Sequence, residues 1–348
     1  TGKTLAYLLP VLLSGRRVLL STGTRNLQEQ LVTKDVPLLA KALGRELGVI
    51  SMKGRQNYAC KQKIRDFEAQ PALLDLDDLD HYRRIRAWAA ETGTGDQSEL
   101  EFLPEKHPLW DRLNARREAC TGSKCPLYEE CFLTRLHQRA SEAELVVVNH
   151  HLFFADLVLK RKDLPGVLPP YEAVVFDEAH ELESTAGQYF GVSVSSHQLE
   201  DLARDASATL RLLRLGSPEL ESRIEAARAA AQRLWVKFGA REGRSAFENR
   251  SQFLEENTEA YEGCMHALAH LESGLEVLQD KPEEIHNLVR RLAEFRAKLA
   301  YLLESEEEGV VYWLERRHRG VYLQASPIEV ATLLRDLLFT PTDTVVMT

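Results

Sequence analysis

The sequence predicts an α/β protein built on a parallel sheet and interrupted by two insertions. Three observations carry that prediction. Helical and extended patterns alternate over residues 1–31, as they do in chains with crossover connections. Two later runs, Leu145–Val148 and Ala173–Phe176, are valine-rich and uncharged, like strands covered on both faces. The long stretches before and after them fit no strand of such a sheet.

The elements follow in order. Leu5–Leu13 continues helically from a Gly2-Lys3-Thr4 turn, with Pro10 expected to kink or end the helix. Arg16–Thr22 is a short apolar run after Gly15, hence a buried strand, and Arg25–Leu31 returns to helix. Between Cys60 and Arg139 acidic helical stretches alternate with turns such as Thr92-Gly93-Thr94-Gly95, which marks the first insertion. From Ser184 to Leu303 the spacing of residues such as Leu199, Leu202, Ala203 and Ala206 is helical. Breaks near Gly216-Ser217-Pro218 and Asp280-Lys281-Pro282 divide this second insertion into several long helices. Val310–Leu314 and Gly320–Gln324 read as paired strands, Ile328–Phe339 as a helix and Thr344–Met347 as a last strand.

Composition narrows the function. The chain has 348 residues, 44% hydrophobic and 28% charged, an ordinary globular balance with room for two or three domains. No apolar run approaches the roughly 18 residues that cross a bilayer, and the first residues lack a signal-peptide pattern. Five cysteines are too few for a disulfide scaffold. Four of them precede position 132, which points to a metal or cofactor in a reducing compartment, so a cytoplasmic location is expected. The formal charge of −9 is uneven: residues 1–65 hold 12 Lys+Arg against 3 Asp+Glu, where a phosphate backbone could sit.

Two constellations carry chemistry. Thr1-Gly2-Lys3-Thr4 has the form of the tail of a phosphate loop, so the chain is expected to be a piece of a longer protein. In such a loop Gly2 and the helix N-terminus face phosphates, Lys3 neutralises β/γ oxygens and the Thr4 hydroxyl is a Mg²⁺ ligand. Asp177-Glu178-Ala179-His180 directly follows the strand Val174-Val175-Phe176. A carboxylate leaving a buried strand end is where the second Mg²⁺ contact of an NTPase belongs, and the next acid can orient water. An acidic helix start would give the same letters, but the two motifs in this order on these elements make an NTPase core. Cys60, Cys120, Cys125 and Cys131 form the second set, the last three as C-x4-C-P-x4-C. Four thiolates satisfy either Zn²⁺ or an iron–sulfur cube, and the wide gaps lean towards the cube. Cys264 reads as a packed small hydrophobe.

These motifs, with Leu20-Ser21-Thr22-Gly23-Thr24-Arg25-Asn26-Leu27-Gln28-Glu29-Gln30-Leu31, Lys53-Gly54-Arg55-Gln56-Asn57-Tyr58-Ala59-Cys60 and Val146-Val147-Val148-Asn149-His150-His151-Leu152-Phe153, resemble the XPD/DinG-type iron–sulfur helicases of superfamily 2. The cysteine spacing, Gln188-Tyr189-Phe190-Gly191 and Ser196-His197-Gln198-Leu199 favour the bacterial YoaA branch. The resemblance implies a RecA-like motor domain over 1–58, 140–181 and 306–348, an iron–sulfur domain over 59–139 and a helical Arch domain over 182–305, with the second motor domain absent from this chain. It implies that Lys3, Asp177, Glu178 and His180 serve catalysis: Lys3 on phosphates, Asp177 on Mg²⁺, Glu178 on the attacking water, and His180 coupling the nucleotide site to DNA. Gly2, Lys3, Thr4 and Asp177 would bind ATP with Mg²⁺, and the four cysteines a 4Fe–4S cluster. Single-stranded or forked DNA is the implied partner, translocated 5′ to 3′ in repair or replication, with Thr22, Thr24 and Arg25 near the strand. Thr24 and Arg25 also suit helix capping and a solvated charge. Trp88, Trp110, Tyr58 and Tyr128 are candidates for base stacking or for core. Asn149, His150 and His151 are expected to pack and hydrogen-bond after a strand rather than bind metal. The branch is expected to touch the clamp-loader χ subunit through a far C-terminal region. This stretch alone is expected to hydrolyse ATP poorly. The contrasting reading is a zinc-stabilised module that binds single-stranded nucleic acid without motor activity, against which intact Lys3, Asp177 and Glu178 argue.

Overall fold

The computed structural model describes residues 2–68, 76–104, 107–116, 120–161, 164–239, 242–278, 282–317 and 320–348. They form two compact units, one of residues 1–186 and 331–348, the other Gly187–Val330.

The first unit is the predicted α/β domain. Helix α1 (Gly2–Leu13) leads into strand β1 (Val18–Thr22), buried along its whole length. α1 runs through Pro10 without ending there, because Pro10 and Ala6, whose carbonyl loses its helical donor, are both exposed and water can replace the bond. Helix α2 (Arg25–Gln30) continues through one π-helical turn, Leu31–Asp35, into α3 (Val36–Leu43). Pro37 lacks the N–H that an α-helical bond there would use, which accounts for the wider turn. Strand β2 (Val49–Ser51) follows.

Further along this unit come β3 (Leu145–Asn149), α8 (His150–Arg161), β4 (Ala173–Phe176) and the last strand of the chain, β9 (Thr344–Met347). All five strands are parallel, in the order β2-β3-β1-β4-β9. Val18 and Leu20 of β1, Leu145 and Val147 of β3, and Ala173 and Val175 of β4 pack with Tyr7, Leu8 and Leu12 of α1 and Leu39 of α3. The alternate residues Leu19, Val146 and Val174 are as deeply buried and, by the period of two, face the other side. There Phe176 meets Phe153 of α8 edge to face, with ring centroids 4.9 Å apart.

The first insertion leaves the sheet after β2 and returns at β3. It carries α4 (Lys61–Glu68), α5 (Leu76–Glu91), α6 (Pro108–Leu113) and α7 (Phe132–Glu142). Its core is its own: Ile64, Tyr82, Ile85, Leu100, Leu109, Trp110, Leu113 and Phe132. Gly95 closes the predicted Thr92–Gly95 turn at φ +69°, where a Cβ would sit 2.4 Å from the Phe132 ring.

After α9 (Leu182–Phe190), the second unit holds α10 (Ser196–Leu212), α11 (Pro218–Lys237), α13 (Thr258–Glu276) and α14 (Glu283–Glu304), the long helices that the spacing predicts, with the short α12 (Arg250–Glu256) between α11 and α13. Ser195 and Gln198 form a capping box at the start of α10, and Ser217 caps α11 ahead of Pro218. The predicted break at 280–281 lies outside the described residues. This unit also contains an antiparallel sheet in the order β5-β8-β7-β6, from Val192–Ser195 (β5), Gly243–Ala246 (β6), Val310–Arg317 (β7) and Gly320–Pro327 (β8). The expected pairing of the two late strands is therefore present, but it belongs to the second unit. Tyr312, Val321, Leu323 and Ala325 join the core of the helices, so the unit extends to Val330 instead of ending at 305.

Gly95→Ala is expected to lower stability by about 3 kcal/mol, combining left-handed backbone strain with overlap on Phe132. Gly122→Ala, at φ +58° with open space around the new Cβ, is expected to cost only about 1 kcal/mol. Urea unfolding followed by tryptophan fluorescence checks the contrast; equal losses would remove the packing argument.

Candidate nucleotide site and cysteine cluster

Apart from the first turn and the insertion with its cysteines, the motifs singled out in the sequence of this unit lie at the carboxyl ends of parallel strands. Thr22 ends β1, Lys53 lies just beyond β2, Asn149 ends β3, Asp177 follows β4 and Thr348 follows β9. This is the edge at which ligands bind open α/β sheets.

Gly2, Lys3 and Thr4 form the exposed first turn of α1; Thr1 lies outside the described residues. The Lys3 ammonium sits 3.0 Å from Asp177 Oδ1 and 3.0 Å from Glu178 Oε1, joining two motifs that are 174 and 175 residues apart in the sequence. Hydrogen bonds to Glu178 and then Asp177 raise its pKa. Asp177 is buried and well supplied with donors: Tyr7 Oη donates to Oδ2 at 3.2 Å and Thr348 Oγ1 to Oδ1 at 3.1 Å. Its own amide donates to Ser21 O at 2.8 Å, so the acid is pinned to β1. Burial, with the Asp177 charge beside it, holds the Tyr7 hydroxyl well above its usual range and keeps it a donor; the Thr4 hydroxyl bonds it as well.

Glu178 adopts φ 59°, ψ 48°, a left-handed conformation that costs a non-glycine residue about 1–2 kcal/mol. The turn is held by the Ala179 amide donating to Thr348 O at 3.0 Å and the Glu181 amide to Glu178 O at 3.0 Å. His180 Nδ1 lies 3.4 Å from Glu178 Oε2, while the ring is largely exposed. Four catalytic candidates, Lys3, Asp177, Glu178 and His180, are thus in one chain of contacts. Tyr7, Thr348 and Glu181 complete it and had no motif to announce them; Glu181 also sits where a Cβ on Gly23 would be, 2.4 Å from its carboxylate.

The strand-end loop after β1 differs from expectation. Thr22 is fully buried and its hydroxyl donates to Thr24 O at 3.1 Å, so it shapes the loop and cannot touch a nucleic-acid strand. Thr24 caps α2 by accepting from the Leu27 amide at 3.3 Å. The Arg25 side chain lies outside what is described. Gln28, buried, latches α2 to the sheet by donating to Met52 O at 2.8 Å and Val147 O at 3.0 Å. His150 is a packed, bonded residue as expected, its Nδ1 2.7 Å from Ser21 Oγ, and burial lowers its pKa. Tyr58 and Trp110 are core residues: Tyr58 Oη accepts from the Lys53 amide at 3.0 Å and Trp110 Nε1 donates to Gln56 O at 2.8 Å. Trp88 is half-buried and donates to Glu99, leaving Tyr128 as the exposed aromatic of the four.

All five cysteines are free thiols. Cys60 precedes α4 and Cys131 caps α7, so both sit at helix N-termini; Cys125 ends the turn Gly122–Lys124, and Cys120 is exposed. Burial pushes the Cys60 thiol up, and the nearby Cys131 adds to the shift. Four thiolates within reach of one Zn²⁺ at about 2.3 Å each would crowd to about 4 Å from one another. Among the described residues no three cysteine sulfurs lie within 4.8 Å of one another. A four-iron cube takes one thiolate at each corner and accepts a wider set. Cys264 is buried in the second unit with its thiol pushed up to about 11, an inert packed residue.

No family profile matches the chain. Over 333 residues, 95% of its length, it is 33% identical to a Haemophilus influenzae protein named ATP-dependent DNA helicase YoaA, covering 52% of that protein. An Escherichia coli protein of the same name is 33% identical over 346 residues, 97% of this chain and 53% of its own. A Mycobacterium tuberculosis protein named ATP-dependent helicase DinG is 33% identical over 251 residues, 66% of this chain and 36% of its own. The solved structure of S. tokodaii Xpd4 matches 99% of this chain and 56% of its own at 12% identity and a TM-score of 0.32. The chain spans about half the length of the first two relatives.

Because the folded state holds His150 below its usual pKa, the unfolded chain binds a proton that the folded one refuses. The stability this confers is complete above about pH 6.5 and is lost as the pH falls, by up to about 1.4 kcal/mol per pH unit. His137, also depressed by burial, acts in the same direction. Unfolding free energies at pH 7.5 and 5.5 are expected to differ less for His150→Gln than for the wild type; an unchanged difference would remove His150 from the account.

Proposed function

The chain belongs to the family of YoaA and DinG, and from that membership we propose that it carries the nucleotide-binding motor domain of an ATP-dependent DNA helicase. One observation bears most of the weight: Lys3 of the Gly-Lys-Thr turn meets both Asp177 and Glu178 at 3.0 Å, at the carboxyl edge of a parallel sheet. In this reading the domain is RecA-like. Lys3 and the amides of the first turn of α1 take the β- and γ-phosphates of ATP. Thr4 and Asp177 would hold Mg²⁺, a fit supported by the buried, hydroxyl-bonded carboxylate of Asp177 and the hydroxyl of Thr4 on the facing turn. Bound there, the ion neutralises charge on the phosphates. Glu178 turns its carboxylate to the attacking water, held in position by the left-handed backbone and by His180. His180, exposed beyond Glu178, links hydrolysis to the strand-binding side.

Cys60, Cys120, Cys125 and Cys131 would hold a 4Fe–4S cluster in the first insertion, a reading supported by the free thiols and by the two helix N-termini at Cys60 and Cys131. The helical second unit then corresponds to the Arch. Single-stranded DNA, followed 5′ to 3′ in repair or replication, is the substrate we propose, drawn by the basic segment in a salt-dependent manner. Contact with the clamp-loader χ subunit and a cytoplasmic location are parts of the same proposal. No helix among the described residues is long and apolar enough to cross a membrane.

Asp177→Asn in the full-length protein is expected to cut DNA-stimulated ATP turnover by more than about 100-fold while strand binding stays within about twofold. Unchanged turnover would refute the metal role of Asp177. Anaerobic preparations are expected to contain about four irons and four sulfides per chain, lost together in Cys120→Ser. One zinc without sulfide would overturn the cluster.

A further inference from the structure

The first insertion holds a second set of metal-ligating side chains, separate from the cysteines. Asp78 and His81 stand three residues apart on α5 and therefore share a face. His107 arrives from the start of α6, and one donor atom from each of the three lies within 4.8 Å of the others. His107 Nε2 is 3.8 Å from Asp78 Oδ1.

Packing alone does not explain the group. His81 stacks on Phe102 at an interplanar angle of 7° and tilts over His107 with ring centroids 4.9 Å apart. These contacts orient the rings, yet Nδ1 of His81 is buried with no hydrogen-bond partner. Leaving such an atom unpartnered is costly, and a ligand that accepts a lone pair removes the cost. A leucine or phenylalanine would fill the same space without the penalty.

We propose that Asp78, His81 and His107 bind a divalent cation of borderline softness, with Zn²⁺ the best fit. Two imidazoles and one carboxylate form a three-ligand set that leaves a fourth, open position for water. The His107 ring makes one adjustment. Its Nδ1 accepts from the Leu109 amide at 3.3 Å, a long bond that caps α6. Ligation through Nε2 moves the ring proton to Nδ1, so that bond is released and the metal takes over the task of fixing the ring. The site thus ties α5 to the entry of α6 inside the insertion that carries the cysteines.

The site is tested with Co²⁺ on the purified chain, because cobalt reports its ligands. Thiolates give a sulfur-to-cobalt charge-transfer band, whereas nitrogen and oxygen ligands give d–d bands alone. In Cys120→Ser one Co²⁺ is expected to bind with d–d bands and no charge-transfer band, in addition to any cobalt held by Cys60, Cys125 and Cys131, and to be displaced by one Zn²⁺. His81→Ala and His107→Asn are each expected to weaken that binding more than about tenfold. His107→Asn keeps a capping side chain for α6, so its loss of binding would not reflect an unfolded helix, and far-ultraviolet circular dichroism checks this. Cobalt affinity unchanged in both histidine variants, or a charge-transfer band for all bound cobalt, would overturn the proposal.

Discussion

The parallel pairing of β1 between β3 and β4 is the constraint on which the first unit depends. Val18 lies opposite both Leu145 and Ala173, and Ser21 opposite both Val148 and Phe176. That register brings the ends of three strands level, so Thr22, Asn149 and Asp177 emerge side by side from segments far apart in the sequence. A shift by one residue would turn the apolar faces over and scatter the site with them. The two insertions enter between strands whose ends this ladder already fixes. Because loop-closure entropy grows only with the logarithm of length, about 0.6 kcal/mol per doubling, such positions tolerate very long excursions. The excursions here, between β2 and β3 and between β4 and β9, each bury a core of their own.

At that edge the charges depend on one another. Asp177 is buried, and a buried carboxylate is tolerable only with donors around it; Tyr7, Thr348 and Lys3 meet that need. Glu178 contributes differently. It is partly exposed, and its left-handed backbone stores strain that the bonds from Ala179 and Glu181 hold in place. Strain kept at a carboxylate beside a cation is a feature of working sites, since a relaxed turn would aim the side chain elsewhere.

The parts of this arrangement that were legible in the sequence are those with a strong local code. Valine runs gave β3 and β4, the Gly-Lys-Thr and Asp-Glu-Ala-His strings gave the charged site, and helical spacing gave the second unit's helices. β5 and β6 were missed because Val192-Ser193-Val194-Ser195 alternates for only four residues and Gly243-Arg244-Ser245-Ala246 carries no apolar alternation at all. β2 has three half-buried residues and no pattern. The resemblance puts Thr22 near a nucleic-acid strand, yet a strand end also needs hydroxyls to satisfy its own carbonyls, and that is the bond Thr22 makes. Tyr58 and Trp110 could not be assigned to stacking or to core from their letters, since an aromatic ring serves both. Asp78, His81 and His107 were invisible for another reason: only the fold brings α5 and the start of α6 together.

The count of positive charge in residues 1–65 also changes meaning in the structure. Lys3 is engaged by two carboxylates, and Arg45 forms a forked pair with Glu144 at 2.9 and 3.1 Å. Lys53 is buried, its ammonium 3.0 Å from Glu29, 2.9 Å from Asp96 and 3.1 Å from Ser98 Oγ. These cations are already engaged by carboxylates of the same unit, so the charge open to a phosphate backbone is smaller than the sequence total. Lys53 matters in another way. Glu29 belongs to α2, the helix that follows the β1 loop, whereas Asp96 belongs to the insertion and bridges Tyr58, two residues before Cys60. A buried ammonium needs such partners, and here they come from both α2 and the 95–98 loop. One buried ammonium group thus joins α2 to the strand-like segment that precedes Cys60.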